Sequence, residues 1–227
     1  MTKKVHPSFN LPENLVKNQQ KVWDRDYRLR GRIWSKERKD LPHGLCGGVV
    51  LEAGVGNGKT LKAILRREPR SVHAFDHSQE ALKLCREGFK DPRIALEKAD
   101  IRALPYRDSG FDAAVVHFIL DNLQEGGRKE AVREVFRVLK PGGALYFSDF
   151  SVGDFRQATA NIRIVLERNT HLKKSGLICH FFEEEEVHAL LDAFTDVEVK
   201  TNEYPPIRNK GHLKRKTIDA TAKKPPA

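Results

Sequence analysis

Short apolar runs recur along the chain, each closing on an acid and most leading into a stretch of helical periodicity. Val49-Val50-Leu51 leads into Glu52, Ser71–Phe75 into Asp76, a run near 93–98 into Asp100, and Phe111–Phe118 into Asp121. Between them apolar positions fall at helical spacing, which predicts helices over 59–67, 78–88 and 127–139. A turn at Lys140-Pro141-Gly142-Gly143 and a strand over 144–149 follow. Strands alternating with helices predict a parallel sheet covered on both faces. In open sheets of this kind ligands sit beyond the carboxyl ends of the strands. The chemistry is therefore expected at strand ends.

The flanks read differently. Residues 1–14 are polar and carry Pro7 and Pro12, as a loose arm would. From Leu15 to about Trp34 the pattern turns helical, with Trp23, Tyr27, Arg30 and Trp34 along one stripe and Gly31 weakening the later turns. That face either packs on the sheet or forms a lid, with Tyr27 or Trp34 over a ligand. After the fifth strand the pattern predicts an amphipathic helix from Phe155 to about Asn169, then a loop or hairpin at Lys173–Leu177. Glu183–Glu186 reads as the solvated acidic start of another helix, which suits the helix dipole, rather than a metal site. Strands near 196–203 and 214–222 are expected as an antiparallel pair at the sheet edge. The expected organisation is an arm and lid helix over 1–40 and a ligand-binding domain over 41–227.

At 227 residues the chain has enough core for one α/β domain. No apolar run approaches the ~20 residues of a membrane span, and the polar start carries no secretory signal. Cys46, Cys85 and Cys179 lack zinc-ligand spacing and a disulfide framework, so they read as reduced thiols in a cytoplasmic protein. The net charge of +10 changes the picture more. Basic residues crowd the chain from Lys200 onward and again between Lys17 and Lys39, which favours a polyanionic partner and suits RNA.

One stretch carries the specific chemistry: Glu52-Ala53-Gly54-Val55-Gly56-Asn57-Gly58-Lys59-Thr60. Glycines reach positive φ without steric cost and let a ligand lie against the backbone. Gly58-Lys59-Thr60 looks like the end of a phosphate-binding loop, but that motif's opening glycine falls at Ala53. Asp76 closes the next strand about 20 residues on, where a carboxylate can accept both ribose hydroxyls. A phosphate cradle has no use for it, and Lys59 then reads as a solvated helix residue. With Asp100-Ile101 and the Leu139–Gly143 turn, the stretch resembles the class I methyltransferases. The resemblance implies a Rossmann-like seven-stranded α/β sheet with helices on both faces. It also implies S-adenosylmethionine as cofactor, held by Glu52, Gly54, Gly56, Gly58, Asp76, His77, Asp100, Ile101 and His117, with Tyr27 and Trp34 as covers.

A narrower resemblance, in one order along the chain, is to the tRNA 3-methylcytidine methyltransferases. It rests on Trp23-Asp24-x-x-Tyr27 with Trp34, Phe118-Ile119-Leu120, Phe147-Ser148-Asp149-Phe150, His180-Phe181-Phe182 and Asn202-Glu203-Tyr204. Ser148 stands where that family has arginine, and Asp121 where it has serine. The resemblance implies tRNA as substrate, with transfer to cytidine N3. Attack by an in-plane lone pair needs no strong base, but the product ring is cationic. Asp121 and Asp149 are the expected carboxylates beside it. The reading leaves room for a protein helper and includes no membrane partner. Its rivals are a small-molecule methyltransferase of the quinone or natural-product type and a non-catalytic RNA-binding partner.

Overall fold

A computed structural model describes residues 18–31, 41, 43–159, 161–206 and 212–227; Trp34 lies outside the described residues. Six helices are described: α1 Gln19–Arg30, α2 Lys59–Leu65, α3 Gln79–Gly88, α4 Glu125–Val138, α5 Phe155–Thr159 and α6 Glu184–Leu190. The first five strands are β1 Val49–Ala53, β2 Ser71–Asp76, β3 Ile94–Lys98, β4 Phe111–His117 and β5 Leu139–Phe150. The rest are β6 Ile162–Glu167, β7 Thr170–Lys173, β8 Ile178–His180, β9 Thr195–Pro206 and β10 Lys214–Lys223.

Seven strands form one sheet in the order β3-β2-β1-β4-β5-β10-β9. The first five run parallel, and β10 and β9 close the edge antiparallel, as the pattern predicts. The order reverses at β1 and β4, the switch point where a ligand crevice opens.

Alternation along each strand sends neighbours to opposite faces. Leu51, Ala114 and Val116 pack with Val135 and Val138 of α4 and Val187 of α6. Val50, Ala113 and Val115 pack with Leu61 and Ile64 of α2 and Leu82 of α3. A parallel sheet needs both covers, because its strands are apolar on both sides.

Two expectations are corrected. The segment from Phe155 stays helical only to Thr159, and Ile162–Glu167 is a strand paired with Thr170–Lys173. Ile162, Ile164 and Val165 are β-branched and favour an extended chain. Asn169, at φ 57°, makes the turn between the strands, a conformation asparagine tolerates. With β8 these strands form a separate three-stranded sheet. The Lys140–Gly143 turn is absorbed into β5: the Gly142 N–H donates to the Lys224 carbonyl and the Lys224 N–H to the Gly143 carbonyl, both at 2.9 Å. Pairing with the chain after β10 extends the strand through a region that local sequence marks as a break.

Helix α1 ends where Gly31 takes φ 61° and donates its N–H to the Tyr27 carbonyl at 2.8 Å, a glycine stop. The helix spans two distant parts of the fold. Asp24 accepts the Ser78 hydroxyl at 2.7 Å, and Arg28 pairs with Glu80 at 3.0 Å. On the other side Gln19 donates to the Gly176 carbonyl at 2.9 Å and accepts the Ile178 N–H at 3.2 Å. It thus roofs the carboxyl ends of the central strands.

Candidate functional site: a cofactor cavity with an aromatic acceptor end

The glycine turn sits at the exit of β1. Gly54 takes φ 66°, and a Cβ built there would lie 1.8 Å from Cδ1 of Ile119. At Gly58, φ 86°, a Cβ would lie 2.1 Å from the Phe89 ring. Neither position admits a side chain in this packing. The turn is tied to the next strand by two bonds: the Val55 N–H to the Phe75 carbonyl and the Gly56 N–H to Oδ2 of Asp76, each 2.9 Å. Oδ1 of Asp76 accepts the Ser78 N–H at 2.8 Å. Burial pushes the Asp76 carboxyl above its usual range, against the pull of His77 and these two N–H groups. Each oxygen keeps a lone pair for a further donor, such as a hydroxyl. Glu52, 1% exposed, lies behind the turn rather than in the cavity wall, facing the Leu61 N–H. Burial, with the neighbouring Asp76 charge, holds its carboxyl well above the usual range.

A cavity of about 940 Å³ runs from this turn beneath α1, near the upper end of the volumes that hold small ligands. Of the expected cofactor residues, Gly54, Gly56, Asp76, His77, Asp100, Ile101, His117 and Tyr27 all line it. Glu52 and Gly58 shape the turn from behind. Burial raises the Asp100 carboxyl, but hydrogen bonds from Arg102 outweigh this and leave it below the usual range. Lys59, expected in solvent, is half-buried and lines the cavity as well.

The far end is aromatic. Phe118 and Phe150 stand with ring centroids 4.9 Å apart, and the Arg156 guanidinium lies 4.5 Å from the Phe150 centroid. Phe118 holds φ 57°, unusual for a bulky residue. Asn122 also lines this end; its amide donates to Oδ1 of Asp121 at 2.6 Å and to the Phe118 carbonyl at 3.3 Å.

Asp121 and Asp149 come together but beneath the wall, 5% and 0% exposed. The Asp121 N–H donates to Oδ2 of Asp149 at 3.1 Å, and the Phe150 N–H to Oδ1 at 2.9 Å. Burial pushes Asp121 up to about 7, with Lys173 and Arg156 opposing. Burial and the Asp121 charge push Asp149 well above its usual range. Burial and the neighbouring charge together disfavour ionisation of both carboxyls at once.

The sequence reading passed over Arg156 and Gln19, and named Ile119 and Arg215 only as parts of longer stretches; all four line the cavity. Gln19 and Arg156 sit on helices α1 and α5, outside the strand-end motifs, so no local pattern marks them. Among the described residues no cluster of histidine, cysteine or carboxylate side chains could hold a metal, and no helix is long and apolar enough to cross a membrane.

Residues 50–143 match a methyltransferase domain family. A ubiquinone/menaquinone biosynthesis C-methyltransferase, UbiE, of Yersinia pestis is 32% identical over 126 residues, covering 53% of this chain and 49% of its own. The chain thus spans about half the length of the curated relatives it matches. Among solved structures, a SAM-dependent methyltransferase of Methanosarcina mazei superposes with a TM-score of 0.64 at 24% identity, over 79% of this chain and 93% of that one. A 1,6-didemethyltoxoflavin-N1-methyltransferase of Burkholderia thailandensis, crystallised with 1,6-didemethyltoxoflavin and S-adenosylhomocysteine, gives 0.70 at 21% identity, over 97% and 93%. The cofactor these point to, S-adenosylmethionine, suits a turn that would clash with any Cβ and an acid at the next strand end. Residues 50–143 are thus similar to a methyltransferase domain, and the seven-stranded fold around them is that of the class I methyltransferases.

Proposed function

We propose that this chain transfers a methyl group from S-adenosylmethionine to a flat ring seated at the aromatic end of the cavity. The observation that carries the reading is the continuity of one cavity from Gly54 and Asp76 to Phe118, Phe150 and Asn122. Gly54 and Gly56 offer bare backbone, Asp76 a carboxylate for ribose hydroxyls, and Asp100 with Ile101 an edge for adenine. When bound, the cofactor supplies a methyl group on a cationic sulfur.

The chain's own part is placement. Holding nucleophile and methyl in line is worth ~7–11 kcal/mol of barrier. Phe118 and Phe150 give a ring a face to stack on. Asp121 and Asp149 act from beneath the wall, as positioning residues: Asp121 fixes Asn122, and the pair's negative charge favours a ring that turns cationic.

Two acceptors fit. A small ring compound is supported by the relatives, one named for quinone biosynthesis and one crystallised with a small heteroaromatic. A tRNA cytidine, methylated at N3, is supported by the net charge of +10 and the ordered motifs along the chain; the base would have to be unpaired or flipped out. The test has two stages. Calorimetry with S-adenosylhomocysteine should give one site per chain, and no binding would end the reading. Mass spectrometry of tRNA nucleosides and of a quinone-precursor panel, after incubation with labelled cofactor, then assigns the acceptor. Salt sorts the two independently, because RNA binding weakens steeply between 50 and 200 mM salt.

A further inference from the structure

Among the described residues, Arg156 is the one guanidinium placed against the aromatic wall of the acceptor end by contacts of its own. It lies 4.5 Å from the centroid of Phe150 and 4.4 Å from that of Phe155. Its Nη1 donates to both oxygens of Asp154, at 3.0 and 3.3 Å. Asp154, 1% exposed, is itself fixed: it accepts the Arg156 N–H and, from the start of β10, the Lys216 N–H, each at 2.8 Å. Ring and carboxylate thus hold the guanidinium plane still. Nη1 is spent on Asp154, whereas Nε and Nη2 make no hydrogen bond among the described residues, and the side chain, 26% exposed, lines the cavity.

The surroundings say what those donors await. Arg215 lines the same cavity from β10, one position before the Lys216 that binds Asp154. The acids lining the cavity, Asp76, Asp100 and Glu130, belong to β2, the β3 exit and α4, on the cofactor side. Asp121 and Asp149 lie under the wall, where burial disfavours their charge. A fixed guanidinium with two donors to spare beside a stacking face matches a planar ligand that carries an oxyanion, because the fork geometry suits carboxylate and phosphate oxygens.

We infer that the methyl acceptor is a flat ring bearing a carboxylate or phosphate, and that Arg156 is the specificity-determining residue that reads this anion while the ring stacks on Phe118 and Phe150. The inference rests on the methyl-transfer reading and deepens it by naming the acceptor's charge. The anion has two sources, a free aromatic acid or the phosphate of a nucleotide.

The test uses the full chain saturated with S-adenosylhomocysteine and reads binding, not turnover. Ligand-observed NMR compares quinoline-2-carboxylate with quinoline, and cytidine 5′-monophosphate with cytidine. At least one anion should bind tenfold or more tighter than its neutral partner, and which pair shows the preference names the source. Arg156→Met keeps the stem on Phe150 but removes the donors; it should abolish the preference while S-adenosylhomocysteine affinity stays within twofold. Arg156→Lys, which keeps charge without the fork, should retain only part of it. If that Met variant does not fold, the wild-type and Lys comparisons decide alone. Equal binding of charged and neutral probes, or a preference that survives Arg156→Met, overturns the inference. Failure to bind S-adenosylhomocysteine at all would instead strike the underlying methyl-transfer reading.

Discussion

Asp24 of α1 accepts the hydroxyl of Ser78, the N-cap of α3, at 2.7 Å across 54 positions of chain. Ser78 in turn accepts the Ala81 N–H at 3.1 Å, and its own N–H binds Asp76. One short chain of bonds therefore runs from the roof helix through the helix cap to the acid expected to hold the ribose.

Asp24→Ala should loosen the roof without unfolding the domain. Loss of a half-exposed cap partner costs about 1 kcal/mol. The larger effect should fall on S-adenosylhomocysteine affinity, lowered about tenfold in calorimetry. Unchanged affinity would mean that α1 does not cover the ligand.

Gly54→Ala should remove cofactor binding, because φ 66° strains any L side chain and the new Cβ would meet Ile119. The expected loss of stability is about 1–3 kcal/mol, measured by urea unfolding. Adding Ile119→Ala relieves the contact but not the dihedral strain, so the double variant should recover part of the stability.

Asp121 makes stability depend on pH. Its folded pKa, about 7, lies above the ordinary carboxylate value. The folded state therefore holds a proton that the unfolded chain releases. The contribution is fully present below about pH 4 and is lost as pH rises through 7. Asp121→Asn should flatten the stability profile between pH 4 and 7 and leave the variant at least as stable as wild type at pH 8. A profile identical to wild type would contradict the raised pKa of Asp121.

Arg128, 3% exposed, joins α4 to the small sheet and α6: it pairs with Glu167 at 3.5 Å and Glu186 at 3.1 Å and donates to the Leu123 carbonyl at 2.8 Å. Glu186 also meets His180 Nε2 at 2.8 Å. Arg128→Met should cost about 3 kcal/mol, since removing one partner strands the others. Denaturant unfolding checks this, and a loss under about 1 kcal/mol would show the joint to be solvated.

The central sheet could be read from the sequence because its strands repeat one local code, an apolar run closed by an acid. Asp76 and Asp100 were legible for that reason, each marked by its own strand. Ile162–Glu167 was misread because six residues with apolar spacing suit either a helix or a strand, and the choice is made by pairing with Thr170–Lys173. Arg156 was not legible at all. Its role depends on Asp154, Phe150 and the start of β10, brought together only by the folded sheet. Asp121 and Asp149 were found as a pair, but their depth below the wall depends on packing that no spacing encodes.

The span of α1 also bears on the order of biogenesis. The helix leaves the ribosome long before Gly176 and Ile178, to which its Gln19 side is fastened. While the chain is being made, α1 can already reach Ser78 and Glu80 of α3, but its Gln19 end has nothing to grip until the late hairpin emerges. Retention of a nucleoside ligand then awaits the late hairpin, so a nascent chain halted before residue 175 should exchange such a ligand far faster than the finished protein.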